Sequence, residues 1–189
     1  VTTITISQAQ FDEAVARVHA AGLSHRVDVQ LKDYRLLEGK YDKLVSIEMI
    51  EAVGEQYLPT YFKKCRDLLK PQGLALIQAI TIEDARYQKA LRTVDFIKRY
   101  IFPGSFIPCI SVLTERASQQ KLRLKQLDDI GLSYAQTIHH WRERFLNAKE
   151  QVLQLGFDEN FIRMWDFYLC YCEGGFKEGV ISDVHMLFE

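Results

Sequence analysis

The sequence predicts an α/β fold, an open and mostly parallel sheet with helices on both faces, and three observations carry that reading. Short β-branched or apolar runs alternate with amphipathic stretches of helical period through the first 82 residues. Turn and cap residues (Ser7, Gly22, Gly54, Pro71 and Gly73) fall between those segments. The run 74–82 is almost continuously apolar, as in a strand covered on both faces.

In order, residues 1–6 form a first strand from Val1, Ile4 and Ile6, and Ser7 caps a helix over 7–21 whose apolar face carries Phe11, Val15 and Val18. A second strand over 27–31 ends at Asp33 and Tyr34. A third over 41–47 offers Leu44, Val45 and Ile47 to the core. A helix over 59–69 closes at Lys70-Pro71-Gln72-Gly73, and the apolar strand 74–82 follows. The second half is different. Residues 83–100 read as a basic helix, 122–127 as a strand, 134–154 and 158–174 as two long amphipathic helices, and 184–188 as a last strand. Aromatic residues gather there, among them Trp141, Phe145, Phe161, Trp165, Tyr168, Tyr171 and Phe176. They read either as helix packing or as the lining of an apolar substrate site.

The 189 residues amount to one domain, 48% hydrophobic and 26% charged, which excludes a disordered or collagen-like chain. Lys and Arg number 24 against 25 Asp and Glu, so no global basic field exists to hold nucleic acid. Cys65, Cys109, Cys170 and Cys172 form no C-x-x-C pair and read as the reduced thiols of a cytoplasmic protein. Neighbouring His139 and His140 point apart on a helix, as do Cys170 and Cys172, so neither pair is expected to hold a metal. No run approaches the roughly 20 apolar residues of a membrane span. The chain opens directly on a strand without an initiator methionine, and further residues upstream are expected.

Ligands of open α/β sheets sit beyond the carboxyl ends of the strands. That selects Thr5, Ser7 and Gln10 after the first strand, Asp33 and Tyr34 after the second, Glu48 and Glu51 after the third, and Gln78 to Thr81 on the fourth. Carboxylates and amides there suit a nucleoside, with Tyr34 for stacking; capping and turn formation is the plainer reading, above all for Ser7. Glu51 lies in an apolar stretch just past a buried strand, and Glu48 shares its side in a helical turn. Two close carboxyls would push one pKa up. Gln78, in an apolar strand, needs buried partners, either structural or from a ligand.

Three runs resemble the cyclopropane-fatty-acyl-phospholipid synthases: YDKLVSIEMIEAVG over 41–54, FIKRYIFPG over 96–104 and LCYCEGGF over 169–176. The resemblance extends from the Thr5-Ile6-Ser7 turn to Phe188. It implies a Rossmann-like class I methyltransferase sheet, here without the glycine-rich first motif and the N-terminal helices, hence a C-terminal portion that is inactive or weak alone. Residues 1–189 would be a single partial domain, with a mostly helical acyl-binding region over 83–178. The implied activity is S-adenosylmethionine-dependent methyl transfer to the cis double bond of a phospholipid acyl chain. A carbocation would then lose a proton to bound bicarbonate, giving a cyclopropane or methylated product.

By the same resemblance Thr5, Ile6 and Gln10 meet the ribose and methionine side of the cofactor, Asp33 and Tyr34 the adenine edge, and Ile47 the wall. Glu51, Ile80 through its backbone, and Tyr134 hold the bicarbonate; Cys172 matches an active-site cysteine, read here as a neutral lining thiol. Two positions depart from the pattern: Ala52 and Gln78 stand where many members have histidine, and Gln78 can donate a hydrogen bond but cannot carry a proton. The implied partners are an unsaturated phospholipid at the inner face of the membrane, met peripherally, and a second copy through an exposed strand edge. Lys89, Arg92, Lys98 and Arg99 would face anionic head groups, or simply form a solvated helix face. The competing readings are a small-molecule methyltransferase on the same scaffold and a catalytically incomplete fragment.

Overall fold

A computed structural model describes all 189 residues, which divide into two compact units, 1–41 and 42–189. In the first unit, β1 (Thr2–Thr5) and β2 (Asp28–Leu31) pair in parallel, joined by α1 (Gln8–Ala20). Ser7 caps α1 as its sequence position predicts, its hydroxyl accepting from the Gln10 amide. A single 3-10 turn, Tyr34–Leu36, follows β2, and Asp33 caps it.

The second unit is built on a four-stranded sheet in the order β3-β4-β6-β5, with β3 (Tyr41–Ile47), β4 (Leu69–Ile82), β5 (Leu124–Asp129) and β6 (Ile181–Phe188). β6 runs antiparallel to both neighbours, whereas β3 runs alongside β4 in the same direction, Asp42 lying beside Gly73 and the Glu48 amide bonding to the Gln78 carbonyl, so the sheet is mixed. The α/β class stands; the reversed last strand is what the expectation of a mostly parallel sheet lacked.

Register assigns each face. Ala75, Ile77 and Ala79 of β4 lie opposite Phe188, Met186 and Val184 of β6, all buried. That apolar face continues into α2 (Leu58–Leu68), where Phe62 meets Phe188 edge to face at 6.0 Å. On the other face Leu76, Gln78 and Ile80 oppose Leu187, His185 and Asp183. There α5 (Gly131–Asn147) and α7 (Glu159–Lys177) pack together, and Ala135, Ile138, Leu169 and Phe176 form a core that Ile80, Tyr134, Tyr168 and Cys172 join. Helices therefore cover both faces, one mainly apolar and the other carrying the polar cluster.

Several elements differ from the sequence reading. The expected helix 83–100 is two pieces, α3 (Asp84–Arg92) and a π turn (Ile97–Ile101). Lys98, in that π turn, reaches back and donates to the carbonyls of Ala90 and Thr93, satisfying the end of α3. The expected helix 134–154 starts earlier, at Gly131, and breaks at Ala148 before α6 (Lys149–Gln154). A further helix, α4 (Ile110–Gln119), lies where none was expected. Residues 70–73 belong to the span of β4, with a left-handed Gln72 (φ 64°) and a Gly73 crowded by the carbonyls of Lys70 and of Asp42 in β3. Val45 and Ile47 are 63% and 53% exposed, because alternation along β3 turns both to one face of the strand while Leu44 and Ser46 turn to the other. No helix is long and apolar enough to cross a membrane.

Candidate active site

The polar face of the second unit converges on three carboxyls. Glu51 sits in a single 3-10 turn, Ile50–Ala52, just beyond β3, with Ile50 fully buried beneath it. Its Oε1 accepts from the Ile80 amide at 2.6 Å, while Oε2 is shut off from solvent with no partner. Burial, opposed in part by backbone hydrogen bonds and reinforced by Glu48 and Asp183, pushes the Glu51 carboxyl up to about 7. The carboxyl is therefore poised to gain or lose a proton near neutrality.

Glu48 follows β3 directly in a left-handed conformation (φ 46°), uncommon for a residue with a side chain. Its amide bonds to the Gln78 carbonyl at 3.0 Å, and its Oε1 accepts from Gln78 Nε2 at 2.8 Å. The same nitrogen donates to Asp183 Oδ2 at 2.7 Å, so one neutral amide bridges two carboxyls. Gln78 Oε1 meets His185 Nε2 at 3.0 Å. Strain at Glu48 is thus tied to a specific side-chain geometry.

Aromatic residues border this cluster. Tyr134 interacts with Glu48, and its ring meets Phe176 at 5.0 Å and Trp141 at 6.1 Å. Burial, with Glu48 and Asp183 nearby, raises the Tyr134 hydroxyl well above its usual range, so it stays a hydrogen-bond donor. Tyr168 is likewise raised by burial and sits against Cys172. Burial pushes the Cys172 thiol up to about 12, which keeps it neutral, as expected for a lining group.

The structure thus brings Glu51, Ile80, Gln78, Tyr134 and Cys172 into one neighbourhood. The Ile80 amide is bound to Glu51 and the Gln78 amide nitrogen to Glu48 and Asp183. Asp183 and His185 were missed by the sequence reading. A polar pair alternating within the apolar terminal strand was the available signal, but their meaning comes from β4–β6 register.

In the first unit, the expected cofactor residues lie at the carboxyl ends of β1 and β2. Thr5 Oγ1 donates to Gln10 Oε1 at 2.7 Å and accepts from the Ser7 amide at 3.1 Å, with Ile6 79% exposed between them. Asp33 is gripped by the Arg35 side chain and amide, which hold its carboxyl below the usual range. An ionised acceptor followed by Tyr34 suits a ribose or adenine edge. In the second unit Ile47 ends β3 half-exposed.

The sequence model of the mycolic acid cyclopropane synthetase family matches residues 1–186. The chain is 41% identical to the tuberculostearic acid methyltransferase of Mycobacterium tuberculosis, over 96% of this chain and 43% of that protein. It is 32% identical to the cyclopropane-fatty-acyl-phospholipid synthase of Escherichia coli, over 94% of this chain and 44% of that one. It therefore spans less than half the length of these relatives. A cyclopropane synthase of M. tuberculosis shares the fold at a TM-score of 0.90 and 21% identity, over all of this chain and 69% of that one. A mycolic acid cyclopropane synthase in complex with SAH superposes at 0.89 and 24% identity, over all of this chain and 69% of its own. With the family match running nearly end to end and these relatives covering almost the whole chain, it belongs to the mycolic acid cyclopropane synthetase family of S-adenosylmethionine-dependent lipid methyltransferases.

Proposed function

We propose that the protein transfers a methyl group to the cis double bond of a phospholipid acyl chain, giving a cyclopropane or methylated product. The observation that carries this reading is Glu51, one oxygen fixed by Ile80 and the other buried without a partner, beside the aromatic faces of α5 and α7. An alkene is a weak nucleophile, and the cation formed on methylation survives only where water is excluded and ring faces are near. A group that gains a proton near neutrality must stand close by.

S-adenosylmethionine supplies an electrophilic methyl on a sulfonium. Thr5 and Ile6 at the end of β1, Gln10 in the first turn of α1, and Asp33 and Tyr34 just past β2 would hold it. Bicarbonate, one hydroxyl and two acceptor oxygens on a small plane, suits the orphaned Glu51 Oε2 and the neutral Tyr134 hydroxyl. The amides of Ile80 and Gln78 are engaged by carboxyls and the Tyr134 hydroxyl meets Glu48, so the free Glu51 Oε2 would hold the ion, with Tyr134 turning to it from Glu48. When bound it would supply a compact base. Cys172 contributes a neutral apolar wall rather than a nucleophile.

The substrate lies in a bilayer, so the proposed location is cytoplasmic and peripheral to the inner membrane face. Phe167, Tyr171, Tyr100 and Phe102 are about half exposed, and the Phe96 ring joins Phe167 at 4.7 Å. Lys89, Arg92 and Arg99 lie on or next to the elements bearing these rings, suiting anionic head groups. A homodimer through the free edge of β1, which pairs only with β2, belongs to the same reading.

Mass spectrometry of unsaturated phospholipid vesicles incubated with the protein and methyl-labelled S-adenosylmethionine tests the activity. Labelled acyl chains one carbon longer in composition support it. Calorimetry with S-adenosylhomocysteine is the companion measurement: binding without product would favour the catalytically incomplete reading of this 189-residue chain. Label in a small soluble acceptor but not in lipid would favour the small-molecule reading.

A further inference from the structure

We infer that His185 is a positioning residue for Tyr134: through Gln78 and Glu48 it fixes where the Tyr134 hydroxyl stands, and so how the site would hold bicarbonate. The inference deepens the methyl-transfer reading above and rests on it.

A line of hydrogen bonds runs from β6 across β4 to the end of β3. His185 on β6 lies directly opposite Gln78 on β4, and its Nε2 meets Gln78 Oε1 at 3.0 Å. Gln78 Nε2 donates to Glu48 Oε1 at 2.8 Å and to Asp183 Oδ2 at 2.7 Å, which uses both of its hydrogens. The Glu48 carboxyl in turn meets the Tyr134 hydroxyl, which α5 carries.

The two carboxyls decide which way round the amide sits. Reversed, Gln78 would turn its oxygen on Glu48 and Asp183 together, and both would lose their shared donor. The Gln78 oxygen therefore faces His185, and the bond needs a proton on His185 Nε2. Asp128, opposite His185 on the other side in β5, accepts from Gln126 instead. Gln78 is thus matched at both ends of its amide only while His185 donates.

Packing alone does not ask for this arrangement. Two positions along the same face of the ladder, Leu76 stands opposite Leu187, so an apolar pair fits there. At 78 and 185 the chain instead places a partly buried donor and acceptor whose bonds lead to the site. Glu48 holds a left-handed backbone (φ 46°), and the Gln78 amide anchors the carboxyl that this backbone aims. Without the His185 proton the amide is free to turn and Glu48 loses its anchor. The Tyr134 hydroxyl then loses the fixed place from which it would turn to the ion at Glu51 Oε2.

His185→Phe keeps a planar ring and removes the donor, whereas His185→Gln restores an N–H at similar reach. On unsaturated phospholipid vesicles, His185→Phe is expected to lower kcat by about 10- to 100-fold with the lipid KM little changed. S-adenosylhomocysteine affinity should stay the same, and His185→Gln should recover most of the rate. Two NMR readouts need no turnover. Nitrogen spectra of wild-type His185 should show its proton on Nε2. With tyrosine isotopically labelled at Cζ, the Tyr134 signal, identified by Tyr134→Phe, should shift in His185→Phe and return in His185→Gln. A proton on Nδ1 alone, a Tyr134 signal unmoved in His185→Phe, or a His185→Gln protein as slow as His185→Phe overturns the inference. A wild-type protein that labels no lipid overturns the methyl-transfer reading, and the tautomer and the Tyr134 signal then decide the positioning by themselves.

Discussion

The Ile80 amide donates to Glu51 Oε1 at 2.6 Å while Glu51 Oε2 stays buried and unpartnered, so one carboxyl is half anchored and half open. Its pKa is raised from 4.5 to about 7, so the folded state binds a proton more tightly than the unfolded chain. Stability from this group is fully present below about pH 4.5 and is lost as the pH rises to about 7, by up to about 3 kcal/mol. Glu51→Gln cannot ionise and can keep the Ile80 bond through its oxygen. Urea melts should find the variant about 1–3 kcal/mol more stable than wild type at pH 8 and nearly equal at pH 4, with methyl transfer lost. Equal stability at both pH values would count against a buried, proton-sharing Glu51.

Gln78 is the single donor common to Glu48 and Asp183. Gln78→Leu keeps the volume and leaves both carboxyls without that bond, at a cost of about 2–4 kcal/mol where they are ionised. Asp183 is raised to about 6, so the cost should shrink towards pH 4.5 as its carboxyl protonates. Melts across that range check the slope; a cost independent of pH would make Gln78 a packing residue only.

The four cysteines should react in an order set by burial. Cys170 is exposed, whereas Cys65 is buried and Cys172 half-buried, both thiols pushed up to about 12, and Cys109 is buried and also raised. Alkylation at pH 8 followed by peptide mass mapping should label Cys170 first and leave Cys172 largely unmodified in the folded protein. Cys172→Ser should retain most of the methyl transfer. Rapid labelling of Cys172 would mean a thiolate there and reopen a nucleophilic role.

What the sequence made legible was whatever had a local cause. Ser7 caps α1 because a short acceptor side chain precedes helical periodicity, and Glu51 stood out as a carboxyl in an apolar run. Helix α4 escaped because only Leu113 and Ala117 of its ten residues are buried, which leaves little periodic signal. The breaks at Thr93 and Ala148 have no proline or glycine to announce them, and the first is stabilised by Lys98 reaching back to two carbonyls. Asp183 was out of reach for a different reason. Its partner Gln78 lies 105 positions away, and only the pairing of β4 with β6 joins them.

Gly131 begins α5 against β6, and a methyl group at its Cα would run into Ser182, the residue beside Asp183. The Gly131 amide and the Ser182 hydroxyl both donate to Asp129 Oδ1, so the corner is tied as well as tight. Gly131→Ala is therefore expected to cost about 1–3 kcal/mol through overpacking, despite alanine's better helix propensity. For a chain of this size that corresponds to a melting point lower by about 5 °C. It should also weaken methyl transfer, since α5 carries Tyr134. Ser182→Ala removes the clashing oxygen, so the double variant should melt above the sum of the two single changes, as expected for residues in direct contact. Strict additivity would show that α5 shifts freely at this corner, and then Tyr134 would owe its position to Phe176 and Trp141 instead.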